Sequence, residues 1–152
     1  MILDININIK RCVVNMNMLH RCIEKNKANN SHAREVIFRV LLETQECLSV
    51  AQICDIIKVD YPKRISVNTV YRHLNLFVAC DLVIVLQNED KKAHYCIADE
   101  NNKVFTLCPQ CGVIEKENSQ AKAFFTLLEH TKTLEYITLH KRCKVCEGLS
   151  KN

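Results

Sequence analysis

The chain has 152 residues, of which 48% are apolar and 25% charged, with a formal net charge of +4. That balance belongs to a globular protein and excludes a disordered, collagenous or fibrous chain; the length suits one large domain or two small ones. The charge is too mild to identify a partner, and two glycines and two prolines predict long regular elements joined by short turns.

Met1 to Asn8 alternates apolar and polar residues, without a basic start or a continuous apolar run, so no secretory signal is expected there. Residues 1–15 match nothing regular and read as an extension. A short helix is predicted from Met16 to Lys27, followed by a polar break at Lys27–Ser31. Val36, Ile37, Val40 and Leu41 recur at helical spacing between Ala33 and Glu43. Ser49 with Gln52 forms a capping-box start, and Ile53, Ile56 and Ile57 give the helix that follows an apolar face. Tyr61-Pro62 ends it, because proline disfavours helix at the residue before it. Ser66 is the next N-cap, ahead of a helix to Cys80. The period then changes to two: Leu82–Leu86 and Ala93–Ile97 read as strands around the polar turn Asn88–Lys92. Three helices and a hairpin are the order of a winged helix-turn-helix.

Asp99–Lys103 reads as a linker. Beyond it the pattern predicts strands at Val104–Leu107, Val113–Glu117 and Leu134–His140, and a helix at Ser119–Thr131 with Ala121, Phe124, Phe125 and Leu128 buried. The expected organisation is α+β: extension 1–15, winged-helix domain 16–98 and small α/β domain 99–152. A strand-rich unit of that size has little core and needs a metal or a partner chain.

Ten cysteines without an export signal read as thiols or metal thiolates, since a reducing cytosol disfavours disulfides. Cys108-Pro-Gln-Cys111 and Cys143-Lys-Val-Cys146 each turn two thiolates toward one point, and four thiolates satisfy tetrahedral Zn²⁺ with no open position. Such a site is structural, one zinc per chain. The rival is two disulfides or redox-active CxxC pairs. A redox pair of the thioredoxin kind follows a strand in a βαβ pattern and needs only one such pair, which does not fit. On the predicted helix after Ser66, Val67, Val70, Leu74, Phe77 and Val78 share one side. Asn68, Thr69, Arg72 and Asn75 share the outer surface, with Tyr71 on the rim. These side chains can reach base edges and phosphates in a major groove, and Lys63 and Arg64 stand before the helix for phosphate. Periodicity alone fits any solvated helix face equally well.

Thr69-Val-Tyr-Arg72, the upstream Arg34, and the spacing to Cys108-Pro-Gln-Cys111-Gly112 and the second CxxC pair resemble the ferric uptake regulator family of bacterial metal-responsive regulators, over roughly residues 16–148. The resemblance implies an N-terminal winged-helix DNA-binding domain and a C-terminal α/β dimerisation domain with a four-cysteine zinc site. It also implies a homodimeric transcription regulator, not an enzyme, that binds palindromic A/T-rich double-stranded DNA. Tyr71 and Arg72 fall on the family's DNA-contacting positions, and the CxxC pairs on its structural zinc site.

The resemblance fails where iron-responsive members carry a histidine-rich run; here Asn102-Lys103-Val104-Phe105 offers no ligand. The inter-domain histidine of zinc-responsive members falls on Ile84. A second, regulatory metal could be assembled only from His94, Cys96, Glu100, Glu115, Glu117 and Glu135, side chains of the types that bind Zn²⁺ or Fe²⁺. The alternative is a member that has lost that site. Cys12, Cys22, Cys47, Cys54 and Cys80 are expected to be small core residues. His73 reads as a phosphate contact or a solvent-facing residue, His140 as a strand residue or a support for the zinc, and His130 as a helix-end residue favoured by the dipole. Two rival functions stand: a zinc-ribbon module that binds protein, and a CxxC dithiol oxidoreductase. No Ser/His/Asp set, Gly-rich phosphate loop or paired-carboxylate motif supports other catalysis. The expected location is cytoplasmic, with no membrane partner.

Overall fold

A computed structural model of the chain describes residues 14–29, 31–99, 103–117 and 136–149. Nearly all of the expected extension, most of the linker and the helix at Ser119–Thr131 lie outside them.

Helix α1 (Met16–Lys25) starts where the Asn15 side chain accepts hydrogen bonds from the Asn17 and Met18 N–H groups, satisfying donors that a helix start leaves unpaired. Its buried residues Leu19, Cys22 and Ile23 follow the three-four spacing of one helical face. Helix α2 (His32–Thr44) buries Val36, Ile37, Val40 and Leu41 as the pattern predicts, with Arg34 and Phe38 as well. It stops at Gln45, which takes the left-handed conformation at φ 56°.

Leu48–Ser49 form a short strand β1 that no sequence pattern announced. Ser49 also caps helix α3 (Val50–Asp60), through the reciprocal capping box with Gln52. The helix ends at Tyr61, before Pro62. Ser66 caps helix α4 (Val67–Ala79), its hydroxyl accepting from the Thr69 N–H at 3.2 Å. Val70, Leu74 and Phe77 are buried, but Val67 is 51% exposed, contrary to its expected place on the apolar side: in the first helical turn it lies beyond the reach of the core.

Strands β2 (Val83–Gln87) and β3 (Ala93–Ile97) form the expected hairpin, and β1 adds to β3, all antiparallel in the order β1-β3-β2. A second sheet has the order β5-β4-β6. Strand β4 (Val104–Leu107) pairs antiparallel with β5 (Ile114–Lys116) and parallel with β6 (Ile137–His140). A short helix α5 (Lys144–Leu149), absent from the sequence expectations, follows.

The main core joins all four N-terminal helices to the first sheet, with Phe38 and Phe77 edge to face at 5.0 Å. A smaller core of Cys47, Leu86, Cys96, Phe105, Leu107 and Ile114 joins the first sheet to the second. Strand β3 serves both: Tyr95 and Ile97 enter the main core, and Cys96 enters the smaller one. Alternate side chains of a strand point to opposite faces, so β3 is buried on both. At the far end of the hairpin, Gly112 has φ +75°, and a β-carbon there would come within 2.7 Å of the Asn88 side-chain nitrogen. Glycine is required at that contact by conformation and by space.

The structure departs from the expectation for cysteine at one pair. Cys22 and Cys80 form a disulfide between the last turn of α1 and the C-cap of α4, with Cα atoms 6.0 Å apart. The two residues are 58 positions apart and meet only through tertiary packing, so spacing carries no trace of them. The Asn26 side-chain amide donates to the Cys22 carbonyl at 2.9 Å and lies 3.3 Å from the Cys80 sulfur.

Candidate metal centre and nucleic-acid interface

Cys108 and Cys111 lie on the turn between β4 and β5, Cys143 on the turn from β6 into α5, and Cys146 in α5 itself. The parallel pairing of β4 with β6 sets the two turns side by side at one end of the sheet. All four sulfurs lie within 4.8 Å of one another, and none is in a disulfide. The Cys111 and Cys143 sulfurs are 3.7 Å apart. Zn–S bonds of about 2.3 Å at tetrahedral angles put sulfurs roughly 3.8 Å apart, whereas a disulfide needs about 2.05 Å. The donor set and its spacing fit Zn²⁺.

The local backbone prepares the site for anionic sulfur. Backbone N–H groups of Cys143, then of Cys111 and Gln110, donate to the Cys108 sulfur and hold its pKa down to about 6, against the effect of burial. Cys146 moves the other way, pushed up to about 12 by burial and by the neighbouring thiols. Four sulfurs in this space cannot all ionise without a cation, and a bound divalent ion supplies it.

Four of the six candidates for a second metal are described. His94 and Cys96 are buried on β3, and the His94 Nδ1 lies 3.1 Å from the Lys92 carbonyl. Glu115 and Glu117 instead line a cleft of about 650 Å³ with Glu46, Cys47 and Glu147. His94 and Cys96 do not line it. Among the described residues only the four cysteines gather as a metal-ligating group. Glu100 and Glu135 lie outside the described residues, as does His130.

On α4, Asn68, Tyr71, Arg72 and Asn75 are exposed, and Thr69 is half-buried with its hydroxyl 2.8 Å from that of Ser66. Lys63 and Arg64 are exposed in the loop before the helix. The buried stripe Val70, Leu74 and Phe77 seats the helix so that this polar face points outward.

His73 corrects an expectation. It is 2% exposed, with Nε2 unpartnered among the described residues, and so faces neither solvent nor phosphate. Burial, then the charges of Arg34 and Arg72, push its pKa down to about 4, so it is neutral at pH 7. Arg34 is buried as well; its guanidinium donates to the Asn29 carbonyl, while Nε has no partner among the described residues. His140 is exposed on β6, 3.5 Å from the Glu89 carboxylate of the hairpin turn.

The sequence pattern offers Cys47 as one more core cysteine and Cys96 as a candidate metal ligand. The structure packs them into the same small core, where the neighbouring thiol lowers the pKa of Cys47 and, with burial, raises that of Cys96.

A family model described as the ferric uptake regulator family matches residues 25–141. The ferric uptake regulation protein of Helicobacter pylori is 31% identical over 96 residues, 63% of this chain and 63% of the relative's length. The chain thus spans less than two thirds of that relative. The solved ferric uptake regulator of Helicobacter pylori, described as having three functional metal binding sites, superposes with a TM-score of 0.70 at 25% identity, covering 91% of this chain and 97% of the other. The regulator of Vibrio cholerae, described by a rearrangement of its DNA-binding domains, gives 0.65 at 18% identity over 82% and 99%; at that identity it supports the fold alone.

Proposed function

The chain belongs to the ferric uptake regulator family, and we propose on that premise that it is a homodimeric, sequence-specific DNA-binding transcription regulator with one structural zinc per chain. The observation that carries the reading is the outward face of α4. A capped helix, pinned by Val70, Leu74 and Phe77, presents Asn68, Tyr71 and Arg72 to solvent just before a β-hairpin. That is the geometry by which a recognition helix enters a major groove. Arginine suits guanine edges and phosphates, and asparagine suits adenine. Lys63 and Arg64 stand where phosphate would flank the helix N-terminus.

Division at residues 98 and 99 gives each half one task. Residues 16–98 would read DNA, and 99–152 would pair two copies and fix the spacing of their recognition helices. Leu139, 42% exposed on β6, an edge strand among the described residues, supports that surface as the pairing face. Cys108, Cys111, Cys143 and Cys146 would hold zinc, whose closed coordination supplies a cross-link and no reactive position. The expected operator is a palindromic A/T-rich duplex, as in the family.

The reading is of a non-enzymatic, cytoplasmic protein without a membrane partner. Among the described residues no helix is long and apolar enough to cross a membrane. The Cys22–Cys80 bridge is at odds with a reducing compartment, and counting thiols in protein isolated under alkylating conditions tests it. A second metal acting as effector finds no converged ligand set among the described residues.

Selection of bound duplexes from a random pool, with and without Fe²⁺, Mn²⁺ or Zn²⁺, tests the whole reading. It is expected to return a two-fold symmetric site. Arg72→Ala should then weaken binding to that site by about 1–3 kcal/mol while leaving the fold intact. Affinity unchanged in a gel-shift titration removes Arg72 from the interface, and a pool that returns no enriched duplex under any metal removes the function.

A further inference from the structure

Two buried cysteines outside the zinc site meet where the two halves of the molecule touch. The register of β1 with β3 pairs Leu48 with Tyr95 and Ser49 with His94. One step further along the same register, Cys47 comes opposite Cys96. Directly opposed residues of an antiparallel pair have Cα atoms about 4.5–5.5 Å apart, inside the range of about 4.4–6.8 Å that a disulfide spans. Both side chains are packed into the same small core. They differ in access: Cys96 is 0% exposed, whereas Cys47, 5% exposed, lines the cleft of about 650 Å³ between the segment that follows α2 and the second sheet. No third ligand atom joins them among the described residues, so the pair is a dithiol and not a metal site.

We propose that Cys47 and Cys96 are a peroxide-oxidisable dithiol, a redox modification site at the contact between the N-terminal helical body and the C-terminal sheet. A hydroperoxide, hydrogen peroxide being the simplest, enters by the cleft. The Cys47 sulfur attacks it; an S–O bond forms, the O–O bond breaks, and the departing oxygen leaves as water with the thiol proton. The Cys96 sulfur then displaces the hydroxyl from Cys47, forming S–S and releasing a second water that carries the Cys96 proton. Sulfur loses two electrons and the peroxide gains them. The new bond draws the sulfurs to about 2.05 Å inside a small core that Phe105, Leu107 and Ile114 of the second sheet complete. Oxidation therefore changes the packing between the halves.

The test uses the full-length, zinc-loaded chain and no DNA, so its outcome is separate from that of the proposed function. The protein is titrated with hydrogen peroxide, quenched with an alkylating agent and digested, and its zinc is measured. Tandem mass spectrometry distinguishes Cys47 from Cys54, which share a tryptic segment. The expected result is loss of two thiols into one cross-link joining Cys47 to Cys96, reversed by dithiothreitol, with zinc retained. Cys96→Ser should instead accumulate a Cys47 sulfenic acid that dimedone traps, and Cys47→Ser should leave Cys96 reduced. The proposal is overturned if, in the wild-type chain, both thiols stay alkylatable once the four zinc cysteines begin to oxidise. It is equally overturned if Cys47 proceeds to sulfinic acid without joining Cys96. The wild-type mapping decides even if a variant fails to fold.

Discussion

Around Phe38 and Phe77 the chain is held by apolar side chains packed from four helices and a sheet. Around Cys108 the buried residues are themselves cysteines, with only Val113 among the described residues packed against them. The same polymer is stabilised by burial in one place and by a donor cluster in the other. Burial is graded, since each methylene removed costs a little. Coordination is close to all-or-none, since a tetrahedral site lacking one sulfur loses much of its hold.

The sharpest way to break this comparison is to take the metal away. Structural zinc in small peptides is worth apparent free energies of about 10 kcal/mol or more. Chelation, or Cys108→Ser, should abolish hydrogen-exchange protection in β4 and β6 while α2 and α3 stay protected. Melting of both regions together would show one cooperative unit. A smaller effect is expected from Phe77→Ala, about 3–5 kcal/mol of global stability, because Phe77 is fully buried against Phe38. Denaturant unfolding measures it, and zinc content should not change. Below that comes pH. Folded His73 protonates only near 4, against 6.5 for the free side chain, so the unfolded chain takes up its proton first. Stability is complete above about pH 6.5 and falls as pH drops toward 4, by up to ~3 kcal/mol. His73→Gln should flatten that portion of the stability–pH curve. The smallest effect is Ser49→Ala, about 1 kcal/mol from losing the capping box that starts α3, read as a lower urea midpoint with an unchanged slope.

How far these features were legible in the sequence follows the range of the interactions behind them. Ser49, Ser66 and Pro62 act within a few residues of themselves, and the helices they bound are where the pattern places them. The hairpin strand Ala93–Ile97 and strand Val104–Leu107 also match. The gathering of four cysteines was legible because each CxxC pair is local and only the pairing of pairs is distant. What escaped was set by tertiary packing. The Cys22–Cys80 bridge, the two-residue strand β1 and the Cys47–Cys96 pair join residues with no shared period. His73 escaped for another reason: it shares the buried side of α4 with Val70, Leu74 and Phe77, but a histidine next to Arg72 on a helix read as DNA-facing is expected on the outer surface. The first candidate set for a second metal mixed β3, which faces a closed core, with β5, which faces the cleft; spacing along the chain does not separate those two faces.

Strand β3 has no solvent face, and that limits how freely the halves could be exchanged. Tyr95 and Ile97 answer to the helices, while Cys96, with Leu86 from the neighbouring strand, answers to Phe105 and Leu107. A hybrid that grafted another regulator's tail onto these helices would inherit every second residue of the hairpin as a mismatched socket. Its designer would have to rewrite the odd or the even positions as a set, because the seam between the modules runs through the middle of a strand and not through the segment that links them.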